Sequence, residues 1–486
     1  MQSDSFFDAL SYRWRTRRLR PGTKMLKSGI VAPGDPPPTG SVGSFSDYRE
    51  VDRPRQWTAY SQGQFPLGTI EHPRLGEEPG FPFFLNWGNL ERHAAVIGPA
   101  GSGKTYGVLA PWIAAAAHAQ IPVIAVDVKG DLQDEIRTAK ARFGYTDPRV
   151  FRIWDIGNPA GSRSWNPLAE IGSVPGKEQT TIAQIAQAFL GDPDPNDPNK
   201  QFHQLDLKRL QGILTIAHER WQGNAHPKVL YQLVSNQNIL RKVRSEISLS
   251  VTDADDLCQL KPGDYPRDTA MLAMKLSWLN RADLHEMLNG TGPKRFTIDG
   301  FFRGDADQGP PADALIVGSR ISEGEPGKMS AALMLTLLKA RCMANFSTKA
   351  PLLWILDEAS QYADRIDLTQ MLALLRGANS PVVVGLQDVT SLPGDDDARD
   401  KALSNCDAFI SLRGVSAKSA EYLSKRIGTG DVLTMQTTME GDYQLSHQIQ
   451  PLVGTGEIQH LPFEFGRYCA VVQLQSVSRN PILIKL

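Results

Sequence analysis

The stretch Gly98-Pro-Ala-Gly-Ser-Gly-Lys-Thr105 decides how this chain is read. It satisfies the pattern G-x-x-x-x-G-K-[ST] at every fixed position. An apolar run, His93-Ala-Ala-Val-Ile97, precedes it and reads as a buried strand. Tyr106 to Ala119 follows and reads as a helix. A strand, a glycine-rich turn and a helix are the context in which this pattern cradles phosphate. Gly98, Pro99, Ala100, Gly101, Ser102 and Gly103 form the turn. Its backbone N–H groups and the positive end of the following helix offer an anion site. Lys104 is expected to reach the β- and γ-phosphates of ATP, and the Thr105 hydroxyl to hold Mg²⁺.

Further strands flank this unit. Pro122-Val-Ile-Ala-Val-Asp127 runs into Val128-Lys129-Gly130-Asp131, and Arg149-Val-Phe-Arg-Ile-Trp154 leads to Trp165-Asn-Pro-Leu168. Continuous apolar strands alternating with helices indicate a parallel sheet covered on both faces. Between about 175 and 305 the pattern changes to helices with almost no strand signal. There Phe202, Leu205, Leu210, Ile213 and Ile216 recur at helical spacing. Gly191 to Asn199 has acidic residues, but three prolines break it and the Gly and Glu of a calcium loop are missing, so it reads as a loop. The sheet pattern resumes at Ala314-Leu-Ile-Val-Gly-Ser319, followed by a long apolar helix, about Lys328 to Phe346. Strands are expected again at Pro351–Leu356, Pro381–Gln387, Ala408–Leu412 and Arg467–Leu474. The predicted fold class is α/β: a RecA-like P-loop NTPase, mostly parallel, with helices on both faces and an inserted all-α domain. Its expected divisions are an N-terminal arm (1–65), a first nucleotide-binding part (66–174), the insertion (175–305) and a second nucleotide-binding part (306–486).

The run Pro351-Leu-Leu-Trp-Ile-Leu356 ends in Asp357-Glu358, the pattern of a Walker B element. A buried strand fixes such acids at the sheet's C-terminal edge, where ligands bind in open α/β folds. Asp357 is expected to hold Mg²⁺, and Glu358 to orient and deprotonate the attacking water. Gln387 ends the next strand and points at the γ-phosphate if the strands lie side by side. Oligomeric P-loop enzymes often borrow an arginine from a neighbour. Arg376 is the first candidate, with Arg413 and Arg320 as alternatives. Thr105 and Asp357 lie 252 residues apart, and the helical block accounts for much of that distance.

The 486 residues are 41% hydrophobic and 22% charged, an ordinary globular composition, and the net charge is −1. Nucleic acid would therefore have to meet a local basic patch. Cys258, Cys342, Cys406 and Cys469 are far apart, which argues against a zinc site or a disulfide framework and fits a reducing cytosol. The apolar stretch Val108–Val126 holds Pro111, His118, Gln120 and Pro122, so it reads as a buried helix and strand rather than a membrane span. Residues 1–65 carry a basic cluster, Arg13-Trp-Arg-Thr-Arg-Arg-Leu-Arg20, and the prolines Pro36, Pro37 and Pro38. They read as a poorly ordered arm that either binds nucleic acid, lipid or a partner, or is merely solvated.

Taken together, these motifs resemble those of the coupling proteins of type IV secretion and conjugation, within the FtsK–HerA group of ring-forming DNA motors. Asp127-Val-Lys-Gly-Asp131 is similar to the family's Asp-x-Lys-Gly-acid motif, Trp165-Asn-Pro-Leu168 to its Asn-Pro-Leu segment, and Leu356-Asp-Glu-Ala359 to its Walker B. Arg376 and Gln387 fall where the family has an Arg and then a Gln. Asn405-Cys-Asp407, Ser419 to Ser424, Gly456 to Leu461 and Asn480 to Lys485 are similar to later family segments, so the resemblance spans roughly 75–486. It implies a homo-hexameric ATPase, using ATP and Mg²⁺, that pumps DNA, single-stranded or relaxase-bound, or secreted protein towards the components of a secretion channel. Members usually begin with two membrane-spanning helices. Residues 1–90 hold no apolar run long enough for one. A cytoplasmic location is expected, either as a soluble branch or recruited to the inner membrane by partners. Two further readings stay open: a soluble motor of the same group acting in DNA processing or defence, and a slowly hydrolysing adaptor that recruits protein cargo.

Overall fold

The structure, a computed structural model, describes residues 65–70, 81–145, 151–191, 200–248, 252–303, 314–344, 351–437, 443–461, 463–464, 467–475 and 481–486. The N-terminal arm to residue 64 and most of the proline-broken loop (192–199) lie outside them.

The strands are β1 (Phe65–Ile70), β2 (Phe81–Leu85), β3 (Ala94–Ile97), β4 (Val123–Asp127), β5 (Phe151–Trp154), β6 (Ala314–Gly318), β7 (Leu353–Leu356), β8 (Val382–Leu386), β9 (Ala408–Leu412), β10 (Thr429–Thr437), β11 (Tyr443–Pro451), β12 (Phe463–Glu464), β13 (Arg467–Leu474) and β14 (Ile482–Lys485). Most form one sheet in the order β2-β1-β14-β13-β9-β3-β8-β7-β4-β6-β5. From β9 to β5 every pairing is parallel. From β9 outward to β2 every pairing is antiparallel. Within the antiparallel wing β13 is the strand expected at Arg467–Leu474, whereas β1, β14 and the separate β10–β11 hairpin go beyond what the sequence pattern predicts. These strands carry little of the apolar alternation that marks the parallel half.

Side chains alternate across the parallel half with the two-residue period of a strand. Ala95, Ile97, Val126, Trp354, Leu356 and Val384 face one core, while Ala94, Val96, Ala125, Ile355 and Val383 face the other. Both faces are buried, so each strand reads as a continuous apolar run. Helix α1 (Ala110–His118) and α2 (Leu132–Phe143) cover one face. The stretch Val108–Val126 thus divides into the end of a π turn, α1 and β4. Among the described residues no helix is long and apolar enough to cross a membrane.

Between β5 and β6 the described residues form helices, among them α3 (Glu178–Leu190) and α4 (Lys200–Trp221). Their apolar stripe, including Ile182, Ile185, Phe189, Ile213 and Leu214, joins the core on the second face of the sheet. Long α5 (Gly324–Ala344) and α6 (Leu368–Leu375) complete that layer. The Asn166-Pro167-Leu168 segment is the tie between the layers. The Asn166 side-chain amide donates to the carbonyls of Gly223 (3.1 Å) and Ala225 (2.9 Å), and its oxygen accepts from the Leu168 N–H (3.0 Å). Next to it the Trp165 indole donates to buried Glu170 at 2.9 Å, and burial pushes the Glu170 carboxyl up.

Candidate nucleotide site

Register sets the site. Ile97 pairs with Leu386 and Val96 with Gly385, Val384 pairs with Leu356, and Leu356 pairs with Val126. The C-terminal ends of β3, β8, β7 and β4 are therefore level. The glycine-rich turn, Gln387, Asp357-Glu358 and Asp127 all leave one edge of the sheet side by side.

The turn folds back on that edge. The Gly98 N–H donates to the Leu386 carbonyl at 2.9 Å. Gly101 (φ +76°) and Gly103 (φ +89°) hold left-handed conformations that side chains resist. A Cβ on Gly103 would strike the Tyr468 ring. The helix after the turn opens as a π turn over Thr105–Leu109 before α1 begins, where the sequence reads as a plain helix. Such π turns often mark functional sites.

Lys104, Asp357 and Glu358 are all buried. The Lys104 Nζ donates to Glu358 Oε1 at 2.9 Å and lies 3.5 Å from Asp357 Oδ1. The Thr105 hydroxyl donates to Asp357 Oδ2 at 3.3 Å. The Asp357 carboxylate also accepts from the Glu358 N–H (3.0 Å), and its carbonyl accepts from the buried Tyr362 hydroxyl (2.9 Å). Gly385 on the adjacent strand leaves room for this carboxylate, since a Cβ there would lie 2.9 Å from Asp357 Oδ1. Glu358 itself adopts φ +48°, ψ +44°, a left-handed backbone rare outside glycine, and it turns back towards Lys104. Burial pushes the Asp357 carboxyl up, opposed by the Lys104 charge and, more weakly, by Lys129.

Lys129 is a further neighbour of the site, its charge acting on Asp357. The Asp127 carboxylate accepts from the N–H groups of Lys129 (3.0 Å), Gly130 (2.6 Å) and Leu132 (3.2 Å). This carboxylate shapes the turn that carries Lys129 beside the Walker B acids. The Asp-x-Lys-Gly spacing was the visible signal, and only the pairing of β4 with β7 says which acids the turn faces.

Of the remaining expected residues, Gln387 is exposed at the end of β8, directly between the strands bearing the two motifs. Arg376 is exposed before β8, at the opposite edge of the sheet. Arg320 is engaged within the chain, its Nε donating to Asp155 Oδ2 at 2.6 Å. Arg413 is exposed just past β9, and the neighbouring Gly414 packs against Pro99 of the turn.

The residues present fit a magnesium nucleotide. Two positive-φ glycines free the turn's backbone. A buried lysine waits at its end, and a hydroxyl and a carboxylate converge as oxygen donors of the kind Mg²⁺ takes. The Ser102 hydroxyl is buried with no hydrogen-bond partner, a polar atom for a ligand to satisfy.

A family model described as the type IV secretion-system coupling protein DNA-binding domain matches residues 79–464. This chain belongs to that family. Among solved structures the coupling-protein fold recurs in TrwB. The unbound conjugative coupling protein TrwBdeltaN70 has 16% identity and a TM-score of 0.62, over 83% of this chain and 86% of that one. TrwB in complex with ADP and Mg²⁺ has 17% identity and a TM-score of 0.59, over 88% and 96%. TrwB in complex with the ATP analogue ADPNP has 16% identity and a TM-score of 0.61, over 87% and 96%. At such identities the likeness shows the fold. No curated protein matches this chain in sequence.

Proposed function

We propose that this coupling-family chain is a DNA-stimulated ATPase, one subunit of a homo-hexameric ring that drives DNA or DNA-bound protein towards a secretion channel. The observation that carries this reading is the buried contact of Lys104 with Glu358, at the level ends of β3, β8 and β7. The complexes of TrwB with ADP and Mg²⁺ and with ADPNP support the same ligands for this site. Thr105 and Asp357 would hold Mg²⁺, which neutralises charge on the phosphates when bound.

Before nucleotide arrives, Glu358 is neutralised by Lys104. A triphosphate seated on the turn competes for that ammonium group. As Lys104 turns to the phosphates, Glu358 is released to orient a water and take its proton. Gln387, on the strand between the two motifs, contacts the same water or the γ-phosphate in this reading and passes the change to the loop after β8. Arg376 serves the neighbouring subunit's nucleotide, because its own lies at the other end of β3. The ring grips DNA mainly through phosphates. It works in the cytoplasm, held at the inner membrane by channel components.

The test is ATP hydrolysis by the purified chain with and without DNA. Turnover is expected to rise with DNA and to be lost in Lys104→Ala and Glu358→Gln. Undiminished turnover in either variant sinks the site assignment. Hydrolysis indifferent to DNA sinks the motor reading but leaves the site standing.

A further inference from the structure

His93 is fully buried, yet it is none of the residues that meet nucleotide. Its backbone has φ +66°, a left-handed conformation that costs a residue other than glycine. Such strain persists only where the surroundings hold it. The imidazole Nε2 lies 2.6 Å from the Leu372 carbonyl, and Nδ1 accepts from the Val382 N–H at 3.0 Å. Because Nδ1 accepts, the ring is the neutral tautomer with its proton on Nε2, donated to Leu372. Burial fits this, pulling the imidazole down to about 4.

These two bonds close a loop. Leu372 lies in the last turn of α6 and Val382 opens β8, and Arg376 lies between them. The imidazole satisfies one free carbonyl at the end of α6 and the first N–H of β8, so it pins both ends of the segment that carries Arg376. A second brace acts on the same turn: the Trp87 indole donates to Asn379 Oδ1 at 2.8 Å, and Asn379 has φ +55°. Arg376 stays exposed, close enough for its charge to act on His93. Meanwhile His93 leads directly into β3, whose four residues end at Ile97, next to Gly98. That strand spans about 13 Å, so Arg376 and its own phosphate turn lie at opposite ends of one short rigid rod.

We infer that His93 is a positioning residue: it presents Arg376 to the nucleotide of the adjacent subunit and ties that presentation to its own phosphate-binding strand. This rests on the ring reading above, in which Arg376 acts across the interface. Nucleotide entering the turn at Gly98 acts on β3, and His93 passes the displacement to the arginine turn. In this way a subunit's own occupancy sets how well it serves its neighbour.

The experiment mixes full-length subunits. Arg376→Ala keeps an intact phosphate turn but offers no arginine, and Lys104→Ala offers the arginine but cannot hydrolyse. Each alone is expected to be inactive, and a 1:1 mixture to regain about a quarter of wild-type turnover through heterologous contacts. When the donor is Lys104→Ala/His93→Ala, the regained turnover is expected to fall at least about 10-fold, with KM for ATP unchanged, because the arginine is misplaced and the acceptor's turn is untouched. Lys104→Ala/His93→Gln, whose amide can serve both bonds, is expected to restore it. It also serves as the folded comparison if the alanine donor melts early. A His93→Ala donor that rescues as well as its parent overturns the positioning role. If Lys104→Ala itself fails to rescue Arg376→Ala, the shared arginine is wrong and this inference falls with it, while the Lys104–Glu358 site is unaffected.

Discussion

At the scale of single residues the site is built around a buried ion pair, which the proposed mechanism has nucleotide break. Lys104 and Glu358 neutralise one another while buried, which avoids the cost of an unpaired interior charge. Glu358→Gln removes the competitor for the lysine but keeps the shape. It is expected to bind a fluorescent ATP analogue more tightly than wild type while turnover drops by about 100-fold or more, the usual weight of a general base. Equal affinity in titrations of the two proteins would show that the pair does not gate the site. His93 gives a pH dependence of fixed sign. Its imidazole titrates near 6.5 when unfolded and at about 4 when folded, so the unfolded chain binds the proton first as pH falls. Stability contributed by His93 is full above 6.5 and is lost as pH drops towards 4. At pH 5 the loss is on the order of 2 kcal/mol. Melting curves of wild type and His93→Gln are expected to diverge less at pH 5 than at pH 7.5. A gap that stays constant would place the acid sensitivity elsewhere.

At the scale of elements, the short segment after β5 does more than connect. Asn166 makes three hydrogen bonds, two of them to carbonyls of the helical block at Gly223 and Ala225. Gly290 packs so closely on Asn166 that a Cβ there would collide with it. Asn166→Ala strands those carbonyls and is expected to cost about 2–3 kcal/mol, read as a lower midpoint in urea. A loss of cooperativity would mean that the helical block and the sheet then unfold separately, although they share one apolar core. The motifs were legible at this scale because each is local: a glycine turn, an apolar strand ending in acids, a proline-capped turn. β1 and β14 were not: their own patterns are weak, and their place in the sheet includes a pairing with each other across more than four hundred residues.

At the scale of the whole molecule, the net charge of −1 leaves DNA contact to a local surface. Stimulation of hydrolysis by DNA is therefore expected to fall steeply between about 50 and 200 mM salt while basal hydrolysis holds, as counterion release requires. Stimulation flat across that range would point to contacts other than phosphate. Periodicity by itself determined the α/β class, and two local motifs singled out Lys104, Thr105, Asp357 and Glu358 as the residues expected to hold a nucleotide. These were readable because phosphate cradles and buried strands impose their residues within a few positions. Tertiary structure decided the rest. It put β8 between the two motif strands, set Lys129 beside Asp357, bound Arg320 to Asp155, and turned Arg376 away from its own phosphate turn behind His93. Strand order and register bring together residues hundreds of positions apart, and long-range packing, not local propensity, selects them.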